Sequence, residues 1–255
     1  MVQEKNISTQ QIKKIIAVHV IPIWAVRSDG RKPLIVCNGS AFLLNIGRKT
    51  FLVTARHVYK EYIDTRAIYA DTICFLGTMR FTLEDKLICE DKAYDIATFK
   101  INEEEIVELK KYGKIPIIES ESEWPLKQSE IKKYALVMGF PGDGRKMLPY
   151  RGNSIVQTEW HGVIIWGTVT AKNDTSITMI PQQEILNWTL GGCSGGPMLT
   201  LIKLKGGIPT WRLTGIIYES SPGIIKASRV DCLNPNGMIN GHPNLMAYND
   251  SIKMD

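Results

Sequence analysis

Short apolar runs separated by polar turns dominate the chain. Residues 15–26 are rich in Ile and Val and are interrupted by Pro22, a pattern that favours a buried strand over a membrane-spanning helix. The runs at 33–44 and 50–54 predict a hairpin whose turn is residues 45–49. The same kind of pattern predicts further strands at 154–157, 162–169 and 176–180.

One segment has helical spacing instead. Residues 101–111 place acidic residues first and lysines last, which complements a helix dipole and predicts a short surface helix. Residues 119–125 are polar and rich in turn formers, so we expect them to join two β-structured halves. The pattern as a whole predicts an all-β fold.

The composition is that of an ordinary globular protein. The 255 residues are 44% hydrophobic, which is enough for a sizeable core in one or two folding units. The formal charge of +5 is spread along the chain without a basic block, which argues against nucleic acid as a partner. No run of about 18 consecutive apolar residues occurs, so we expect no membrane span.

The cysteines indicate a reducing environment. Their number is odd, none forms a C-x-x-C pair, and the N-terminus lacks the apolar run of a secretory signal, so we expect a cytoplasmic location. The separations between these cysteines do not suit a zinc site either, because no pair has the usual short separation of zinc ligands. The five cysteines are Cys37, Cys74, Cys89, Cys193 and Cys232.

A candidate nucleophile lies in residues 190–199, where one hydroxyl occurs in a loop almost without side chains. Glycines there allow a substrate backbone to come close. They also free the amides of Gly192 and Ser194 to point at one position, where an oxyanion could form. A plain glycine turn between two strands has the same pattern. Ser194 therefore needs a base and an orienting acid.

Two residues fit those roles. His57 follows a predicted strand at a point where a short helical turn could begin, which suggests exposure at a rim. Asp95 comes directly before an alternating apolar strand. Of the other histidines, His19 fits a packed strand position and His161 a loop, and His242 has no predicted role.

The order His57, Asp95, Ser194 resembles that of the trypsin/chymotrypsin-fold serine peptidases. Three of that family's motifs match, namely T-A-x-H at 54–58, D-[IL]-A at 95–97 and G-x-S-G-G-P at 192–197. Within the family the chain resembles the bacterial HtrA-like branch, through a G-S-G-F-like segment at 39–42 and a V-x-x-G-[FN]-P-like segment at 137–142.

This resemblance covers residues 15–230 and carries expectations about the fold. It implies two six-stranded antiparallel β-barrels packed together, with the active site in the cleft between them. We expect a first barrel at 14–122 with His57 and Asp95, a second at 123–233 with Ser194, and a tail at 234–255.

The resemblance also implies a serine endopeptidase that works through an acyl-enzyme. Ser194 would be the nucleophile, His57 the general base and Asp95 the residue that orients it, with the amides of Gly192 and Ser194 as the oxyanion hole. No cofactor or metal is required. The expected partners are a peptide or protein substrate and, for a latent enzyme, an activating protein.

The resemblance implies four candidate substrate-binding residues, two found by counting back from Ser194 and two on a later strand. Trp188 falls at the base of the pocket with Thr189 beside it, and Tyr218 and Ser220 lie on the far strand. A Trp188 ring that points inward would shorten the pocket and favour small or medium apolar side chains.

Cys193 is the main departure from the family, which has Asp or Asn before the nucleophile. Because the chain also lacks a start like Ile-Val-Gly-Gly, we expect no activation by N-terminal cleavage. We also expect no peptide-binding PDZ domain of the kind that typical HtrA proteins carry. Ser194, not Cys193, stands directly before the Gly-Gly pair, so Cys193 is predicted to be a buried packing residue.

Two other functions remain open from the sequence. One is a trypsin-fold module that mainly docks a peptide strand, or a latent protease that awaits a partner. The other is a hydrolase of esters or small amides that uses the same acyl transfer.

Overall fold

The computed structural model describes residues 18–28, 33–125, 134–147, 158–182, 189–203, 209–221 and 223–240. These ranges are mostly β-structure, as the hydrophobic pattern predicts, and they include one closed barrel. The predicted strand at 154–157 and most of the predicted tail lie outside the described residues.

The N-terminal half forms an eight-stranded sheet. Its strands pair in the order β5-β4-β1-β2-β3-β7-β6, and β8 adds to β2 in parallel. The strands are β1 (Val20–Ser28), β2 (Pro33–Ile46), β3 (Lys49–Ala55), β4 (Ile73–Leu76), β5 (Met79–Arg80), β6 (Leu87–Asp91), β7 (Ile96–Lys100) and β8 (Ile117–Glu119).

The predicted hairpin is confirmed as β2 and β3. Its turn is tighter than the sequence predicts, because Ile46 pairs with Lys49 and leaves only Gly47 and Arg48 between the strands. Gly47 has a φ of 66°, which a two-residue hairpin turn requires and glycine adopts readily.

Two helices accompany this sheet. Helix α1 (Arg56–Ile68) begins directly after β3, where the sequence predicts only a short helical turn. Helix α2 (Glu103–Lys111) confirms the predicted surface helix, and a capping box between Asn102 and Glu105 starts it. Within the described part of the chain, no helix is long and apolar enough to cross a membrane.

The C-terminal half forms the closed barrel, in the strand order β12-β13-β16-β15-β14-β9, with a separate two-stranded ribbon of β10 and β11. Its strands are β9 (Tyr134–Gly139), β10 (Arg145–Met147), β11 (Thr158–Trp160), β12 (Val163–Lys172), β13 (Ser176–Pro181), β14 (Pro197–Lys203), β15 (Pro209–Ser221) and β16 (Ile224–Arg229).

Alternate residues of β9 belong to two different hydrophobic clusters. Ala135 and Val137 belong to a buried cluster to which all six barrel strands contribute, so they face the barrel interior. Leu136 and Met138, on the opposite face, join a second cluster that contains Phe42 and other residues of the N-terminal sheet. The outer face of the barrel and the sheet therefore share one hydrophobic core.

A buried ion pair crosses the same junction. Arg212 on β15 lies 2.5 Å from Glu119 at the end of β8, and Glu119 also accepts a hydrogen bond from the Leu213 amide at 3.0 Å. Burial raises the pKa of Glu119, while the Leu213 amide and Arg212 oppose that rise. Arg212 also contacts Glu123, whose side chain is 59% exposed.

Glu119→Ala should lower the free energy of unfolding by about 3–5 kcal/mol, because it leaves the Arg212 guanidinium buried without its main partner. The matched control is Glu123→Ala, which removes only an exposed partner and should cost less than about 1 kcal/mol. Urea denaturation measures both, and equal small losses would show that the buried pair is not important for stability.

Candidate active site

Asp95 holds His57 at the junction between β3 and α1. Its carboxylate accepts two hydrogen bonds, from the His57 amide at 2.9 Å and from His57 Nδ1 at 2.6 Å. Its backbone carbonyl accepts a third, from the Arg56 amide at 2.8 Å. Because a carboxylate oxygen accepts hydrogen bonds, this contact favours the tautomer with the proton on Nδ1, in which Nε2 of the half-exposed ring has the free lone pair.

Asp95 itself stands in an unusual conformation. Its φ of 51° lies in the left-handed region, which Asp tolerates better than most residues. The preceding residue, Tyr94, is buried, and its carbonyl accepts a short hydrogen bond from Ser228 on barrel strand β16. The barrel therefore helps to position the acid that the N-terminal sheet carries.

Ser194 lies half-buried in a tight turn that precedes β14. The Cys193 amide donates to the Leu190 carbonyl at 3.0 Å, and the Gly196 amide donates to the Cys193 carbonyl at 2.9 Å. A side chain at Gly195 is excluded, because its Cβ would lie 2.0 Å from the Ser40 carbonyl oxygen. The turn therefore requires glycine directly after the candidate nucleophile.

The two amides predicted to form an oxyanion hole have no acceptor among the described residues. Within the described part of the chain, the amides of Gly192 and Ser194 donate no hydrogen bond, whereas those of Cys193, Gly195 and Gly196 all do. Gly192 reaches this arrangement with a φ of 97°. Free donors that the fold holds in place are what stabilisation of a developing oxyanion requires.

Ser40 joins the nucleophile turn to the strands that lead to His57. It is fully buried, its amide donates to the Ser194 carbonyl at 2.8 Å, and its Oγ donates to the Gly192 carbonyl at 2.8 Å. The same Oγ accepts from the Phe140 amide at 2.8 Å, and the Ser40 carbonyl accepts from Thr54 Oγ1 at 2.7 Å. Thr54 lies on β3, which ends at Ala55, two residues before His57. Ser40 therefore bonds both to the turn that contains Ser194 and to the strand that precedes His57.

Sequence reasoning missed this role of Ser40. Segment 39–42 resembles a family motif, but its one local signal for such a role is a small polar residue, Ser40, in an apolar strand. The partners of Ser40 lie far away in the chain, in residues that come together only after folding. A fully buried hydroxyl is expected to be bonded, but its partners cannot be identified from local sequence.

The predicted substrate-binding residues are partly brought together. Ser220 Oγ donates to the Leu190 carbonyl at 3.1 Å, which places it beside the segment that contains Thr189. Tyr218 is half-buried on β15, at a bulge in its pairing with β16. Trp188 lies outside the described residues, so the predicted shape of the pocket base stays a prediction.

Cys193 is buried, as predicted. Only 2% of it is exposed, and it belongs to the cluster that fills the barrel. Burial raises the pKa of its thiol to about 12, so the thiolate is scarce at neutral pH. Its Sγ lies against Gly139, where an added Cβ would be only 2.9 Å away. This environment suits a packing residue and not a nucleophile.

The described residues contain no group of three or more His, Cys, Asp or Glu side chains that could hold a metal ion. His161 lies in the connection between β11 and β12, in the predicted loop, and His19 binds the Ile115 carbonyl at 3.1 Å. His242 lies outside the described residues.

No protein-family model and no curated protein sequence matches the chain. The functional assignment therefore depends on the residues themselves and on their geometry.

Ser40→Ala should weaken both fold and site, because it leaves the Gly192 carbonyl and the Phe140 amide without their partner. We expect a loss of about 1–3 kcal/mol in unfolding free energy and slower reaction of Ser194 with a fluorophosphonate. The control is Ser120→Ala, which removes an exposed hydroxyl whose hydrogen-bond partner in the described part of the chain is the Ser122 hydroxyl at 2.9 Å. Indistinguishable behaviour of the two variants would contradict the role given to Ser40.

Proposed function

We propose that this chain is a serine endopeptidase in which Ser194 is the nucleophile, His57 the general base and Asp95 the residue that orients it. The observation that carries the proposal is that Asp95 accepts two hydrogen bonds from His57, while the glycine turn around Ser194 leaves two amides without an acceptor among the described residues. Ser40 supports it further, because it ties that turn to β3, the strand that ends two residues before His57.

The proposed reaction begins with attack of Ser194 Oγ on a peptide carbonyl carbon. His57 Nε2 takes the hydroxyl proton, and the carbonyl oxygen becomes an oxyanion that the Gly192 and Ser194 amides stabilise. The C–N bond then breaks, His57 returns the proton to the leaving amine, and an acyl-enzyme remains. Water repeats the cycle and releases the acid.

Asp95 acts in this scheme through its hydrogen bonds to His57. Its bond to His57 Nδ1 keeps the proton on that nitrogen, so Nε2 is free to accept the proton from Ser194. Its second oxygen holds the His57 amide at 2.9 Å and fixes the ring at the start of α1. As the imidazolium forms, the nearby carboxylate stabilises its charge.

We further propose that the eight-stranded sheet is the N-terminal barrel of a trypsin-like fold and that the substrate lies in a cleft between the halves. The shared core and two cross-junction contacts, from Ser40 to the nucleophile turn and from Ser228 to Tyr94, support this arrangement. Residues from both halves then converge on one cleft.

The substrate would run along the end of β15, near Tyr218 and Ser220, as an added strand. A peptide or protein with small or medium apolar side chains remains the proposed substrate. All five cysteines are free thiols, four of them buried, which favours a reducing, cytoplasmic setting.

Ser194→Ala and His57→Ala should each remove nearly all hydrolysis in a peptide-library assay, and Asp95→Asn should slow it by about 10⁴-fold because the imidazole takes the wrong tautomer. Circular dichroism should show all three variants folded. Wild-type turnover in His57→Ala would rule out this triad, and hydrolysis of esters but of no peptide would favour an esterase.

Cys193→Ala should keep most activity, because the buried thiol has little thiolate to offer at neutral pH. A fluorophosphonate should inactivate the wild type, with its adduct on Ser194, whereas iodoacetamide should leave both Cys193 and activity intact. Mass spectrometry of the labelled peptide distinguishes the two residues. Activity that falls in step with alkylation of Cys193 would overturn the choice of nucleophile.

A further inference from the structure

The short loop at 141–144, directly after β9, contacts the segment that precedes Ser194. The Gly142 amide donates to the Gly191 carbonyl at 2.7 Å. One residue later, Asp143 Oδ2 accepts two hydrogen bonds from Thr189, from its amide at 2.8 Å and from its hydroxyl at 2.6 Å. Three hydrogen bonds therefore hold residues 189–191 to this loop.

Asp143 is well suited to that contact. Its carboxylate is exposed, and the hydrogen bonds from the Thr189 side chain and backbone lower its pKa. It is therefore ionised at neutral pH, and hydrogen bonds to a charged acceptor are stronger than neutral ones. Because both donors belong to one residue and meet at one oxygen, they fix both the backbone and the side chain of Thr189.

Gly192 is confined from the other side by Asn38. A Cβ on Gly192 would lie 2.2 Å from Asn38 Nδ2 and 2.7 Å from the Phe140 carbonyl oxygen. A Cβ on Gly142 would lie 3.3 Å from the same Nδ2. Asn38 Nδ2 is buried and has no hydrogen-bond partner among the described residues, so it acts here through packing. The Asn38 side chain therefore packs against both Gly142 of the loop and Gly192.

The loop has its own support. The Gly144 carbonyl accepts from the His161 amide at 2.9 Å and contacts His161 Nδ1 at 3.0 Å. The Gly144 amide donates back to the Pro141 carbonyl at 3.0 Å. The loop therefore holds Thr189 from a fixed position between β9 and the connection that leads into β12.

We propose that Asp143 is a positioning residue for the oxyanion hole, which holds residues 189–192 so that the Gly192 amide points at the reacting carbonyl oxygen. This inference rests on the proposed function, because it concerns the same site. Asp143 touches no reacting atom and acts through Thr189. Losing it should slow the chemical step and weaken the binding of oxyanion mimics, while ground-state binding of the substrate changes little.

The test compares Asp143→Ala, Asp143→Asn and Thr189→Val with the wild type. Asp64→Ala is the matched control, because Asp64 is an exposed aspartate on α1 whose ion-pair partner among the described residues is Lys60, at 3.4 Å. The readouts are kcat and KM for the best library peptide and the inhibition constants of that peptide's aldehyde and acid. The aldehyde forms an oxyanion on Ser194 and the acid does not.

Asp143→Ala should lower kcat by about tenfold or more, a fraction of the loss when an oxyanion donor is removed outright, with KM within about twofold. The affinity for the aldehyde should fall in parallel with kcat, whereas the affinity for the acid should stay unchanged. Asp143→Asn, which keeps an acceptor oxygen, should recover part of the loss. Thr189→Val, which removes the hydroxyl donor but keeps the amide donor, should lower kcat less than Asp143→Ala does, and Asp64→Ala should match the wild type.

The other outcomes count against the inference in distinguishable ways. An active wild type whose Asp143→Ala variant keeps full kcat and aldehyde affinity overturns the inference and leaves the proposed function standing. Equal weakening of aldehyde and acid, or an unfolded Thr189→Val together with an unfolded Asp143→Asn, shows a merely structural role. A wild type that neither cleaves the library nor reacts with a fluorophosphonate overturns the proposed function and the inference together.

Discussion

The hydrogen bonds of one buried serine are the constraint on which the site depends. Ser40 bonds to the Ser194 and Gly192 carbonyls through its amide and hydroxyl, and to Thr54 through its carbonyl. The nucleophile turn precedes a barrel strand and His57 follows the N-terminal sheet, so this contact joins the two halves at the site itself. The glycines of the turn are needed because the backbones come so close that a Cβ on Gly195 has no room.

A second contact runs from the barrel to the residues beside Asp95 in the N-terminal half. Ser228, on the barrel, bonds to the carbonyl of Tyr94, and the next residue is the left-handed Asp95 that holds His57. Each half thus positions a candidate catalytic group of the other, and the shared apolar cluster and the Glu119–Arg212 pair hold the halves together. Loss of a contact at this junction should therefore lower the free energy of unfolding and also disturb the positions of the candidate catalytic groups.

The sequence predicts those features that depend on local pattern. The β2–β3 hairpin, helix α2 and the burial of Cys193 follow from alternation, charge order and side-chain chemistry, and the structure confirms them. The sequence does not reveal the length of α1, which has no side-chain cap. Nor does it reveal the hydrogen-bond partners of Ser40 and Asp143, because those partners lie far away in the chain. Such contacts depend on tertiary packing, which single-sequence patterns do not encode.

The central claim is that Ser194, His57 and the free amides of Gly192 and Ser194 form one reactive site. A crystal structure of the protein after treatment with a fluorophosphonate tests it most directly. The account predicts phosphorus bonded to Ser194 Oγ, with a phosphonyl oxygen accepting hydrogen bonds from both amides and His57 Nε2 beside the adduct. An adduct on Cys193, or a Ser194 adduct whose phosphonyl oxygen points away from both amides, would contradict it.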